Sequence, residues 1–312
     1  MIDTIGETVV GHLVDRSMTT LGPGLVFWTG GGLAFLSAHG GQAELERLGD
    51  RVAELPVLAV IVLVAVAFVS VYATTLLVRL LTRPVLRLLE GYGPKGYGPK
   101  GWGRKRTAKL TGRVEKWSEE QQTLAGPVAD ETATPEQRAR YAWLDARLNR
   151  DPGRRELRLP TRVGNILRTA ETRPGEKYGL NVVALWPHLW LSLPDEAKTS
   201  LAEARTALDR SVATVIWGLG FTAFGYWNPW AIPVGALLAL ATHLWWLPGR
   251  ALVYADLLEA TVDLHRHLLY QRLRWPVPTD PADERRAGAL LTIYLVRGLD
   301  GSAPTFTTQA AP

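Results

Sequence analysis

The chain has 312 residues, a formal charge of +5 and no cysteine, which excludes disulfides, cysteine-ligated zinc, iron–sulfur centres and thiol catalysis. Its mean hydropathy is near zero, but long charge-free stretches alternate with segments dense in Arg and Glu. A water-soluble surface spreads its charges more evenly, so the segregation points to a membrane.

The N-terminus, MIDTIGETVVGHLVD, carries acids where a signal peptide would be basic, so no cleaved leader is expected. Residues 21–38 are the apolar part of a charge-free stretch between Arg16 and Glu44, about 27 Å long as a helix and just enough to span. The Gly30-Gly31-Gly32 run weakens that helix but admits another backbone closely. Residues 55–81 give the clearest span, with the apolar sequence LPVLAVIVLVAVAFVSVYATTLLV bounded by Glu54 and Arg79.

Residues 211–249 again lack Asp, Glu, Lys and Arg, too long a run for one span of about 20 residues. Asn228-Pro229 near its middle predicts a hairpin over 211–247: a helix over 211–227, a turn, and a second helix from about 230 to 247. Trp227 and Trp230 flank the turn and Trp245-Trp246 mark the far end, as interfacial aromatics would.

The loop after the first span holds only Arg47 and Arg51. The segment after the second span opens with Arg79, Arg83, Arg87, Lys95, Lys100, Arg104, Lys105 and Arg106. The positive-inside rule then places both termini and the 82–210 segment in the cytoplasm. The predicted fold is an all-α integral membrane protein with four transmembrane helices, two plus two. Residues 1–81 hold the first pair, a basic helical cytoplasmic domain (82–210) is inserted before the hairpin, and cytoplasmic helices (248–298) and a disordered tail (299–312) follow. Within the domain, helices are predicted over 104–124, from Pro135 with Thr134 as cap, and over 162–171 with Thr161 as cap and a stop at Arg173-Pro174-Gly175. Residues 181–193 form an apolar segment. A long helix runs from about Asp195 into the third span, and 250–275 continues the fourth with a kink at Pro248. A last helix runs from Pro281 to Arg297.

Three features could carry chemistry. Residues 91–105 read GYGPK, GYGPK, GWGRK. The repeat contains GxGxxG, but no strand precedes it, so it is not a dinucleotide site. It reads as a flexible connector whose Lys95, Lys100, Arg104, Lys105 and Arg106 meet anionic lipid headgroups. Nucleic acid is disfavoured because no suitable fold surrounds it. His243 is an intramembrane polar residue, read as packing rather than as a proton site. Asp256, Glu259, Asp263 and His267 share one helix face. They could hold a divalent metal, but pairing with the arginines of 154–173 is the preferred reading. No hydrolase elbow, zincin helix, kinase set or phosphate loop occurs, and no catalytic residue, metal or cofactor is assigned.

Leu159-Pro160-Thr161-Arg162-Val163-Gly164-Asn165-Ile166-Leu167-Arg168 with Ala170-Glu171 resembles a signature of uncharacterised multi-pass membrane proteins of high-GC actinobacteria. Tyr178-Gly179-Leu180, Trp186-Pro187-His188-Leu189-Trp190, Asp263-Leu264-His265-Arg266 and Tyr294-Leu295-Val296-Arg297-Gly298 add to the likeness. The resemblance covers roughly 159–298 and implies architecture and a bacterial plasma membrane, not an activity. From the residues themselves, Arg162, Asn165, Arg168, Glu171, Trp186, Trp190 and Asp263 are expected to form a structural or interaction hub, with Arg162 or Arg168 paired to Asp263. The expected function is a non-enzymatic membrane protein whose cytoplasmic domain self-associates or docks a partner. The alternative is an oligomeric channel or transporter, similar to bestrophin-type anion channels in 2+2 topology alone.

Overall fold

A computed structural model describes residues 21–93, 102–298 and 305–306. Helix is the only regular secondary structure among them. In chain order the α-helices are α1 (Leu21–Ala38), α2 (Gln42–Ala53), α3 (Val57–Glu90), α4 (Trp102–Ala129), α5 (Pro135–Leu148), α6 (Arg162–Tyr178), α7 (Val182–Ser192), α8 (Asp195–Phe221), α9 (Ala231–Ala241), α10 (Leu247–His265), α11 (His267–Arg272) and α12 (Pro281–Arg297). Lys95, Lys100 and most of the pentapeptide repeat lie outside the described residues, as does nearly all of the 299–312 tail.

Three stretches are long and apolar enough to cross a membrane: α1, α3 and Ala231–His265. The sequence predicts a fourth over 211–227. There the chain instead divides between the end of α8 and a 3₁₀ segment, Thr222–Tyr226, so no single helix meets the criterion.

The chain forms two compact units, one of residues 1–86 and 209–246, the other of 87–208 and 247–312. The first is an apolar bundle. Val71, Thr75, Val78 and Thr82 fall on one face of α3 and are buried, while Val57 and Val64, which continue that face toward the helix start, are 77% and 63% exposed and Leu58, off it, is 72% exposed. The hydroxyls of Thr75 and Thr82 donate to carbonyls one turn back, at 2.7 and 2.8 Å, which satisfies them without a second helix. The ring of Phe27 on α1 lies 4.9 Å from both Trp217 and Phe224, and Ala34 and Ala231 complete that cluster.

The triple glycine of α1 admits rings, not a backbone: Gly30 lies against Phe221 and Gly31 against Phe224, while Gly32 faces open space. Close backbone approach occurs instead in the hairpin. A Cβ on Gly218 would sit 2.9 Å from both the Gly235 carbonyl and the Ala239 nitrogen. Asn228 shapes the hairpin turn. Its side-chain oxygen accepts from the Trp230 amide at 3.0 Å and its amide nitrogen donates to Ser37 at 2.6 Å.

In the second unit α4 and α5 form a helical hairpin. Arg140 donates twice to Glu120, at 2.8 and 2.7 Å, and Trp117 meets Trp143 edge-on at 5.5 Å. Thr134 and Gln137 close a reciprocal capping box with Pro135 in the first turn. α6 packs on α10 and α12, with α7 beside them. Its stop differs from the sequence expectation. The helix passes through Pro174 and ends at Tyr178, where Gly179 adopts φ +71°. A proline removes one ladder bond, and here its ring is buried, so packing offsets that loss. The kink expected at Pro248 is replaced by a π-helical turn, Thr242–Trp246, immediately before α10. That turn reroutes the ladder just where the proline offers no N–H.

Replacing Gly218 by Val should cost about 1–3 kcal/mol through overpacking and lower the melting midpoint in mild detergent. Gly32→Val, facing open space, serves as the control.

Candidate functional site

The hub residues fall on and around α6, and the first step is its N-terminus. The Thr161 side chain accepts from the Gly164 amide at 3.0 Å and donates to the Glu90 carbonyl at 2.8 Å. One hydroxyl therefore caps the start of α6 and satisfies a carbonyl at the end of α3, where no intrahelical partner exists. Gly164 makes the approach possible, since a Cβ there would run into the Glu90 carbonyl. Gly91, at φ +98°, presses against Pro160 in the same way. Asn165 is buried and its oxygen accepts from the Leu159 amide at 2.6 Å. The Leu159–Arg168 signature is thus a docking device for the end of α3.

Arg168 and Glu171 pair on α6 at 3.4 Å. Burial raises the Glu171 carboxyl above its ordinary range, against the pull of Arg168 and Arg205. Glu90, past the 55–81 span and in the last turn of α3 with Arg87, is pushed up to about 7 by burial and then by Glu171, against Arg205 and Arg87. Tyr92 is raised for the same first reason. Burial, and for Glu90 the charge of Glu171, thus disfavour the ionised carboxyls here, against the pull of Arg87, Arg168 and Arg205.

The other end of α6 is an ion-pair network. Asp263 receives Lys177 at 3.1 Å and the Tyr178 hydroxyl at 2.9 Å. Neither Arg162 nor Arg168 reaches it, because both lie near the start of α6 whereas Asp263 meets its last turn. Glu259 accepts from Lys177 at 2.7 Å and Arg173 at 3.1 Å. Arg173 also donates to the Asn149 carbonyl. Burial pulls Lys177 down, but its bonds to Glu259 and Asp263 outweigh that and hold the ammonium above its usual value. Arg266 lies 4.0 Å over the Tyr178 ring and donates to Glu284 at 2.7 Å. Gly179 and Gly288 bring α6 and α12 into backbone contact. The Tyr178–Leu180 and Asp263–Arg266 segments therefore meet here. The cations that hold Glu259 and Asp263 also occupy the oxygens a metal would need. Asp256 and His267 are exposed on the same helix run, and no metal-holding cluster occurs among the described residues.

The rings of Trp186 and Trp190 lie 5.8 Å apart on α7, tilted by 40°. With Pro187, Leu201, Arg205 and Tyr254 they line an open groove of about 580 Å³. Arg205 stands 5.6 Å over the Tyr254 ring. Sequence reading found the two tryptophans but not Leu201, Arg205 or Tyr254, which come from α8 and α10. Arg104, Lys105 and Arg106 lie in the first turns of α4, and His243 is half-buried in the π turn.

Glu259→Gln should lower stability by about 1–3 kcal/mol, since it leaves Arg173 and Lys177 underpaired in a partly buried place. Glu90→Gln should act with pH. A raised carboxyl lets the folded chain keep a proton that the unfolded chain releases, so stability falls as pH rises from the unfolded value near 4.5 to about 7. The variant's melting midpoint should exceed that of the parent at about pH 8 and match it at about pH 4.

Comparison with protein-family models, with curated proteins and with solved structures finds no match for this chain.

Proposed function

We propose that this is a non-enzymatic integral protein of a bacterial plasma membrane, of the actinobacterial multi-pass type its signature resembles, whose helical unit docks another protein chain at the membrane. The observation that carries the reading is the aromatic groove of α7, α8 and α10. Tryptophan, tyrosine and arginine are the side chains that dominate binding energy at interfaces, and here they line a concavity. The occupant is a protein segment that packs an aliphatic or aromatic anchor against the rings of Trp186 and Trp190. A second copy of the chain is one such occupant.

Four spans, two plus two, fit the apolar unit. Residues 211–226 combine α-helix with a 3₁₀ segment of greater rise, which brings them to roughly 26 Å, near the hydrocarbon thickness. Trp230, Trp245 and Trp246 are 76%, 71% and 62% exposed, as interfacial aromatics are. The Lys/Arg asymmetry orients both termini and the 82–210 segment inward, and the basic repeat meets anionic headgroups. The channel reading is less favoured. Thr74 accepts the Trp28 indole N–H at 3.1 Å, Thr75 packs on Gly24, and Ser70 donates to the Val66 carbonyl, so these α3 hydroxyls are engaged within the chain.

Two measurements test this. The cysteine-free chain allows single-cysteine labelling: His39→Cys should react with an impermeant maleimide in intact cells, and Asp130→Cys only after permeabilisation. A photo-crosslinker replacing Thr206 should give one discrete adduct, lost at least about tenfold in Trp190→Ala, with its mass reporting self or partner. No adduct, or one insensitive to Trp190, would sink the docking reading.

A further inference from the structure

A second cavity has a different character. About 240 Å³ in volume, it lies among α4, α5 and the start of α6, and its wall carries Arg106, Arg113, Arg147, Arg150 and Arg162 with Trp117. Asp151 is on the same wall, but it is buried against Arg158 at 2.6 Å and is neutralised there. Arg147 spreads over the rings of Trp117 and Trp143, at 5.4 and 5.6 Å, which fixes its guanidinium without neutralising it.

We infer that this arginine-walled cavity is a binding site for a compact anion carrying at least two phosphoryl groups, held by Arg113, Arg147, Arg150 and Arg162. Three observations carry it. Arg113, Arg150 and Arg162 have no carboxylate partner among the described residues, whereas Arg140, Arg158, Arg173 and Arg266 each have one. The guanidiniums come from α4, α5, the turn after α5 and α6 and line one concave space, so the crowding is tertiary rather than a by-product of one basic helix face. Planar guanidiniums suit phosphoryl oxygens, which accept two parallel hydrogen bonds from each. Burial, then the neighbouring charges of Arg147 and Arg150, hold the Arg162 guanidinium below its ordinary value. The cavity therefore presents concentrated positive charge that an anion would relieve. Its volume admits a pyrophosphate-sized group and leaves the Trp117 ring to contact whatever the phosphates are attached to. That group could belong to a phospholipid headgroup or to a soluble polyphosphate.

The test is titration of the full-length protein in mild detergent with pyrophosphate at about 150 mM salt, where nonspecific surface attraction is screened. Saturable binding at one site per chain is expected, with a rise in melting midpoint on saturation. Arg113→Gln with Arg150→Gln should weaken it at least about tenfold, while Arg285→Gln with Arg286→Gln, both exposed on α12, should leave it unchanged. The cavity variant should melt no lower than the parent without ligand, because it removes repulsion. A merely structural cluster would lose stability instead. Incorporation into nanodiscs of neutral lipid, with or without cardiolipin, whose headgroup carries two phosphates, separates the sources. Block of pyrophosphate by cardiolipin indicates a headgroup, and undiminished binding indicates a soluble ligand. No saturable binding, or equal weakening by the two double variants, would overturn the inference.

Discussion

The constraint on which the rest depends is the solvation of α3. Its most apolar window is 6% buried, and more than a dozen of its aliphatic side chains point away from any core. Each such side chain is worth about 1.5–3 kcal/mol when removed from water, so their sum exceeds the 5–15 kcal/mol that holds a typical domain together. A surface of that size and apolarity is compatible with a membrane. The packing of the apolar unit is of the same kind, since small residues and rings carry its contacts as they do between helices in lipid. Gly218 against Gly235 and Phe27 against Phe224 are of that kind.

α6 carries the second unit because it uses its two ends differently. At its start a hydroxyl and a glycine replace bulk, so the end of α3 can touch its backbone. At its end Arg173, Lys177 and Tyr178 meet the carboxylates of α10. Cations in the last turn are favoured by the helix dipole as well as by their partners. Pro174 is tolerated between these ends because α10 and α12 hold both sides of the helix.

This division explains what the sequence could and could not reveal. Local signals were readable. Thr134, Thr161 and Asp280 cap where a short polar side chain precedes a helical pattern, and the charge-free runs mark the apolar unit. Pro174 misled because burial of its ring, a tertiary matter, outweighs its local cost. The partner of Asp263 was misjudged for a related reason. Spacing along α10 shows which residues share a face, but not which turn of α6 lies opposite. The aromatic groove and the arginine cavity are assembled from three helices each, and nothing in one helix announces the others. Residues 211–227 were read as a plain helix because neither composition nor period separates α from 3₁₀.

Arg162 is the residue whose local setting agrees least with its fold. It stands in the first turn of α6, where the helix dipole disfavours a cation, and it faces two more arginines that lower its guanidinium further. A structural arginine would sit better eleven residues later, where Arg173 finds Glu259 at once. Sequences that fold well tend to agree with themselves at every level, and departures concentrate at functional sites. Helix dipole, like-charge crowding and missing carboxylates act here in one direction. They place the strain of the second unit in the arginine cavity rather than in the saturated network at the other end of α6.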